Sequence, residues 1–281
     1  METTRVIFCS DVHLCHHKHG APSPEAKMER MVQQLNDYRK EKPYEKIVFL
    51  GDYSLDHWAW QVKGSWLERG VSETERFVKD YASRLEAPYY MLAGNHEQYG
   101  EALWQKFTGC SRQDYFVVGG YLIICCDNFA GNLDPDFHSD GTYTVTDLSF
   151  VRKAMAEHPD MPVILCAHDF DYDKEPEEFF TFVKEEKRIT ALLAGHVHLA
   201  AVHELGERAG NMVIYYDGHY SYAGGKGTLK DTMWGFCDAV LTDEGLDIRY
   251  VEPENDVTVD GEPYHHPYTE KNHRFFPRRD L

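Results

Sequence analysis

Long hydrophobic runs, positive charge and paired cysteines are all scarce in this chain. No apolar stretch approaches the roughly 18–20 residues that a membrane-spanning helix needs. The chain reaches a strand-like run, Arg5-Val-Ile-Phe-Cys-Ser10, almost at once, without the basic segment and longer apolar run of a secretory signal. Seven cysteines, an odd count, include no CxxC pair of the kind that holds zinc or runs thiol exchange. Cys9, Cys125, Cys126 and Cys166 sit in strand-like runs and read as buried reduced thiols, which leads to the expectation of a cytoplasmic protein. Lys and Arg number 29 against 47 Asp and Glu, a formal net charge of −18. Such a field repels a long nucleic acid at every distance beyond a local site, but leaves a small phosphorylated ligand open, because bound cations reverse the field around themselves. The glycine-rich segment Gly224-Gly-Lys226-Gly227 lacks the spacing and the Ser/Thr of a phosphate loop and reads as a turn. No internal repeat or low-complexity linker is present.

What remains is an ordinary globular composition, 42% hydrophobic and 27% charged over 281 residues, enough for one full core. The first half alternates strand, loop and helix. Strands are expected at 5–10, 46–50 and 89–93, with helices at 24–40, opened by Ser23-Pro24, and at 72–85, opened by Ser72 with Glu75 three residues on. Further on come a short helix at 101–107, strands near 115–118 and 121–127, helices at 147–157 and 176–187, and strands at 163–167 and 189–194. From 199 the pattern turns to strands and turns, at 199–204, 211–217, 234–241 and 246–251. We expect a catalytic domain over 1–252. The stretch 253–281, rich in Pro, His and charge, reads as an extended tail or surface arm. The alternation fits an α/β domain whose loops gather at the carboxyl ends of its strands.

Five short blocks leave those strands in one order: Asp11-Val-His13, Gly51-Asp52, Gly94-Asn95-His96-Glu97, His168, and Gly195-His196-Val-His198. Glu97 aside, they offer two carboxylates, one amide and five imidazoles, oxygen and nitrogen donors with no thiolate among them, as a hydrolytic two-metal site needs. About 40 residues separate Asp11 from Asp52 and Asp52 from Asn95, the length of a strand–helix–strand return, so these blocks should emerge at one sheet edge. On extended backbone, Asp11 and His13, like His196 and His198, would face the same side, while adjacent Asn95 and His96 would point apart.

Together these blocks resemble the calcineurin-like metallophosphoesterase superfamily, over residues from about 5 to 205. The resemblance implies an α/β fold of two mixed β-sheets packed as a sandwich flanked by helices. It implies two divalent or mixed-valence metal ions, Mn or Fe foremost and Zn also compatible with such ligands. Asp11, His13, Asp52 and His198 would hold one ion, and Asp52, Asn95, His168 and His196 the other. His96 would serve the leaving-group oxygen, and a bridging water would attack phosphorus in line. The implied function is hydrolysis of a small phosphomonoester or phosphodiester. Alternatives are a phosphodiesterase specific for nucleotides or cyclic nucleotides, and a binding scaffold that keeps the fold without catalysis.

The chain departs from its relatives in places. Many carry an acid three residues after the bridging Asp, where it orients the catalytic imidazole; here that position is Leu55 and the acid follows at Asp56, which a one-residue bulge would bring into the role. The signature Gly-Asp-x-Val-Asp-Arg-Gly is absent, which disfavours a phosphoprotein phosphatase, and Tyr53 is misplaced for the tyrosine ligand of purple acid phosphatases. Trp58, Trp60 and Trp66 crowd the next loop; Trp58 and Trp60 offer a stacking platform for a nucleobase or aryl group, or alternatively anchor the loop to the core. The expected partner is a small phosphorylated substrate, with no membrane and no long nucleic acid.

Overall fold

The computed structural model describes residues 3–15, 23–57, 70–131, 133, 140–220, 235–251, 258–259, 262–263 and 273–279. The first strands are β1 (Thr4–Cys9), β2 (Lys46–Phe49) and β3 (Tyr89–Met91), parallel neighbours joined through helices. Helix α1 (Pro24–Glu41) starts where the sequence says it should: the Ser23 hydroxyl accepts from the Ala26 N–H and Pro24 fills the first turn. Its buried face, Met28, Met31, Val32 and Leu35, follows helical spacing against the sheet. The expected second helix begins as α2 (Glu73–Arg76), capped by Ser72, then widens into a π-type turn over Phe77–Tyr81 and tightens over Ala82–Arg84. Three antiparallel strands complete this sheet: β10 (Phe236–Leu241), β11 (Gly245–Val251) and β14 (Arg274–Pro277), in the order β14-β11-β10-β1-β2-β3.

Strand β14 qualifies the expectation of a tail from 253 onwards. Arg274–Pro277 pairs with β11, Leu246 facing Phe276, and buries the Phe276 ring between the sheets. Four residues with one inward ring are too short to carry a readable period. A two-residue hairpin, β12 (Thr258–Val259) with β13 (Glu262–Pro263), lies between.

A second six-stranded sheet holds β4 (Asp114–Val118), β5 (Tyr121–Cys126), β6 (Val163–Ala167), β7 (Ile189–Ala194), β8 (Ala200–Glu204) and β9 (Val213–Asp217), in the order β4-β5-β6-β7-β9-β8. Its four central strands are parallel and its two edges antiparallel. The sheets face each other across a core that includes Val6, Phe8, Val48, Leu92, Ile123, Ile164, Leu193 and Tyr215. On the outer face of the first sheet lie α1 and α3 (Glu101–Thr108); on that of the second lie α4 (Leu148–Glu157) and α5 (Glu177–Glu185). The order of layers is therefore α/β/β/α, two mixed sheets with helices outside. β5 and β6, buried on both faces, read as unbroken apolar runs, as parallel strands do. Cys9, Cys15, Cys125, Cys126, Cys166 and Cys237 are buried thiols, and no helix among the described residues is long and apolar enough to cross a membrane.

Candidate metal centre

The five blocks meet at one edge, where β1, β2, β3, β6 and β7 end. Backbone bonds lace the loops: Asp11 N–H donates to Gly51 O at 2.9 Å, His13 N–H to Asp52 O at 3.1 Å, and Gly195 N–H to His168 O at 2.9 Å. The local backbone is not the extended one that the spacing predicts. Asp11, His13, Asp52, His196 and His198 all have φ between 47° and 66°; among the described residues Asn211 alone joins them as a non-glycine residue in that region. The left-handed conformation costs energy for such residues and persists where the surroundings enforce it. It turns the chain within each motif, so paired donors converge through tight bends rather than along a pleat. Gly51, at φ 108°, is required here: a Cβ would collide with the His168 ring and with Gly94.

Asp52 sits at the middle. Its Oδ1 accepts the His96 backbone N–H at 3.0 Å, while Oδ2 lies 3.2 Å from His13 Nε2, 3.2 Å from His168 Nε2 and 3.6 Å from His96 Nε2. Asp11 divides its oxygens in the same way. Oδ2 accepts from the Ser10 hydroxyl and the His196 N–H, and Oδ1 faces His198 Nε2 at 3.1 Å and His13 Nε2 at 3.8 Å. Asn95 Oδ1 stands 2.9 Å from His168 Nε2 and 3.0 Å from His196 Nδ1, and those two ring nitrogens are 3.3 Å apart. Three overlapping groups result, Asp11/His13/His198, His13/Asp52/His96 and Asp52/His168/His196, each with its donor atoms within 4.8 Å of one another. The structure thus brings together all seven residues expected as ligands, with His96 beside them.

The donor set fits divalent cations. His168 Nδ1 lies 2.6 Å from Leu50 O, which can only accept, so Nδ1 carries the proton and Nε2 faces the centre as a ligand must. Burial pushes the Asp52 carboxyl up, but the His168 and His96 rings beside it outweigh burial and hold it well below the usual range; Asp11 is held down in the same way by His198. Burial lowers His13 to about 4 despite its bond to Asp52. For His168, burial is overcome by the Asp52 charge and the group rises to about 10; Asp11 likewise raises His198 against burial. Without cations, protons on these two rings balance the paired carboxylates.

Supporting residues surround the centre, and of these Ser10 and Asp217 escaped the sequence reading. Glu97 is fully buried, and its carboxylate accepts four backbone N–H groups, from Asp52, Tyr53 and Ser54 on one loop and Gly94 on the other, at 2.9–3.2 Å. Burial and the Asp52 charge raise it to about 8, and the N–H fan pulls the other way. Ser10 Oγ lies 2.5 Å from Asp11 Oδ2 and 2.6 Å from Asp217 Oδ1. A hydroxyl has one proton to give, so one carboxyl must bring its own. Burial raises Asp217 well above the usual range, so of the two carboxyls Asp217 holds a proton the more readily. The His219 ring stacks on His198 at 5.1 Å, and the Phe129 ring packs edge-on to His168 at 5.6 Å.

Asp56 does not take up the orienting role expected of it. Its carboxylate accepts the Tyr99 hydroxyl and the Glu73 N–H, capping α2 beside Ser72, and burial raises it to about 6 against those bonds. Leu55 fills the preceding position as a core residue. Among the described residues, the carboxylate near the other nitrogen of the His96 ring is Asp140, with Oδ1 3.4 Å from Nδ1. Trp58, Trp60, Trp66 and the Gly224–Gly227 turn lie outside the described residues.

The model of the calcineurin-like phosphoesterase family matches residues 4–200, which span every one of the five blocks. The chain belongs to that family. Solved structures share the fold of this calcineurin-like phosphoesterase at low identity. A dimetal phosphatase from Danio rerio superposes with a TM-score of 0.61 at 11% identity, over 88% of this chain and 95% of that one. A purple acid phosphatase from yellow lupin (Lupinus luteus) seeds gives 0.55 at 13%, over 94% of this chain; the phosphoesterase spans about half of that protein, 53%. GAP50, the anchor in the inner membrane complex of Plasmodium, gives 0.57 at 12%, over 99% of this chain and 90% of that one. An anchor and two phosphatases on one fold mean that the fold alone does not assign catalysis. No curated protein matches the chain in sequence.

Proposed function

We propose that this phosphoesterase hydrolyses a small phosphomonoester or phosphodiester at a two-ion centre. The observation that carries the reading is the placement of Asp52 Oδ2, about equally distant from His13 and His168, the imidazoles of two different donor groups. One oxygen shared between two sets of ligands is what a bridging carboxylate requires. Asp11, His13, Asp52 and His198 would hold one ion and Asp52, Asn95, His168 and His196 the other, Mn or Fe first and Zn also compatible. Bound there, two divalent cations lower the pKa of water and stabilise charge on phosphoryl oxygens.

The chain's own residues do the rest. Each carboxylate spends one oxygen on protein N–H or O–H groups and keeps the other for the centre, so the ligands are held before substrate arrives. His96 keeps Nε2 beside the centre, where it hands a proton to the departing oxygen as the P–O bond breaks. Its backbone N–H is tied to Asp52 and its ring side chain is 11% exposed, so the group is fixed yet reachable. The net charge of −18 supports a small substrate over a polyanionic one. Nucleotides, cyclic ones included, belong to the class.

Hydrolysis of p-nitrophenyl phosphate and of its bis ester by Mn-reconstituted protein tests the reading, with His96→Ala alongside. Turnover of one ester, with kcat lowered roughly 10²–10⁴-fold in the variant and metal content unchanged, is expected. Two bound ions without turnover of either ester contradicts it and favours the binding scaffold.

A further inference from the structure

We propose that Asp140 is the positioning residue of His96, supplied by a loop of the second sheet in place of the acid that relatives carry after the bridging aspartate. The inference rests on the reading of His96 given above. The two nitrogens of an imidazole point in divergent directions. On His96, Nε2 faces the centre, 3.6 Å from Asp52 Oδ2, and Nδ1 faces the other way, 3.4 Å from Asp140 Oδ1. A carboxylate on Nδ1 fixes the ring plane and holds a proton there, so that Nε2, with the separate proton it gives up, stays directed at the reacting oxygen. The separation is slightly long for a hydrogen bond, and such contacts tighten when a ligand closes the site.

The seat of Asp140 is built. The next residue, Gly141, donates its N–H to Asn95 O at 2.8 Å, so the loop is bonded to the motif that carries His96. A Cβ at Gly141 would stand 2.9 Å from that same oxygen, so a side chain there would push the loop away. Thr144 N–H donates to Asn128 O at 2.7 Å, the Thr144 hydroxyl accepts from Gly131 N–H, and Tyr143 and Thr146 both bond Glu175. The loop is thereby tied at both the β5 end and the segment after His168. The alternative carboxylate, Asp56, is engaged by Tyr99 and the start of α2. Asp140 is 60% exposed, so substitution there does not disturb the core.

Asp140→Asn, Asp140→Glu and His96→Ala/Asp140→Asn in the full chain test this, with matched phenyl and p-nitrophenyl esters of whichever type the wild type hydrolyses. A phenolate leaves less readily than a nitrophenolate and depends more on a well-aimed proton. Asp140→Asn is expected to lower kcat on the phenyl ester ~10–100-fold, and less on the p-nitrophenyl ester, with KM within about threefold and metal content unchanged. Asp140→Glu should recover most of the rate, and the double variant should be no slower than His96→Ala. Equal losses on both esters, or additive losses in the double variant, would overturn the proposal. A second measurement separates it from the proposed function: nitrogen chemical shifts of the His96 ring in Zn-loaded protein. A proton on Nδ1 is expected in wild type and a changed distribution in Asp140→Asn, whether or not any ester is turned over. Identical ring shifts in the two proteins would overturn the assignment.

Discussion

The first sheet brings Asp11, His13, Asp52, Asn95 and His96 to the centre, all buried, and braces them from behind: Glu97 gathers four N–H groups, and Ser10 ties Asp11 to Asp217 at the end of β9 in the second sheet. The second sheet brings three imidazoles. His168 is buried and locked by Leu50 O, but His196 and His198 lie on a loop at the rim, the His198 side chain 36% exposed between exposed Val197 and Leu199. One half therefore carries the negative charge and most of its bracing, and the other completes the set of candidate ligands while leaving an approach from solvent. The difference teaches that stability and metal affinity should separate under mutation: damage to the first half should cost both, damage to the rim affinity alone.

Asp52→Asn strikes the residue that joins the halves and should have the largest effect, lowering kcat/KM by at least ~10³-fold and metal content below one ion per chain. Glu97→Gln comes next. An amide NH2 replaces an oxygen that accepts two N–H groups, so donors face donors in a buried site; denaturant unfolding should show a loss of about 2–4 kcal/mol, with weaker metal binding. His198→Ala should lower metal affinity about 10–100-fold while leaving the unfolding midpoint of the metal-free protein nearly unchanged. If both variants lose stability equally, the contrast between the halves is wrong. The smallest effect is in pH. His168, raised to about 10 by Asp52, and His198, raised by Asp11, hold protons that a cation must displace. Binding therefore releases protons and affinity should rise with pH through the neutral range, as calorimetry in buffers of different ionisation enthalpy would show.

The candidate ligands were legible in the sequence because each block follows an apolar strand and three of the seven, Asp52, Asn95 and His196, stand directly after a glycine, a pairing that survives without any knowledge of the fold. Their left-handed backbone was not, since an Asp-Val-His triplet after a strand reads as more strand. Asp56 misled because a carboxylate near a motif and one residue before a loop looks the same whether it turns to the imidazole or caps the next helix; the 17 residues to Glu73 hide the closure. Ser10 and Asp217 are 207 residues apart and Asp140 lies in a Gly- and Asp-rich loop, so neither contact leaves a local pattern. Glu97 sat inside a recognised block but its bracing role was not legible there, because three of the four N–H groups it gathers come from another loop. The sheets were legible as alternation, except β14, whose four residues pair with a strand far earlier in the chain.

The most direct test of the centre is a titration of chelator-stripped protein with Mn(II), followed by electron paramagnetic resonance. The shared Asp52 oxygen predicts two equivalents per chain and the spectrum of a spin-coupled pair. A single equivalent, or two that remain uncoupled, would contradict a bridging carboxylate and with it the two-ion account.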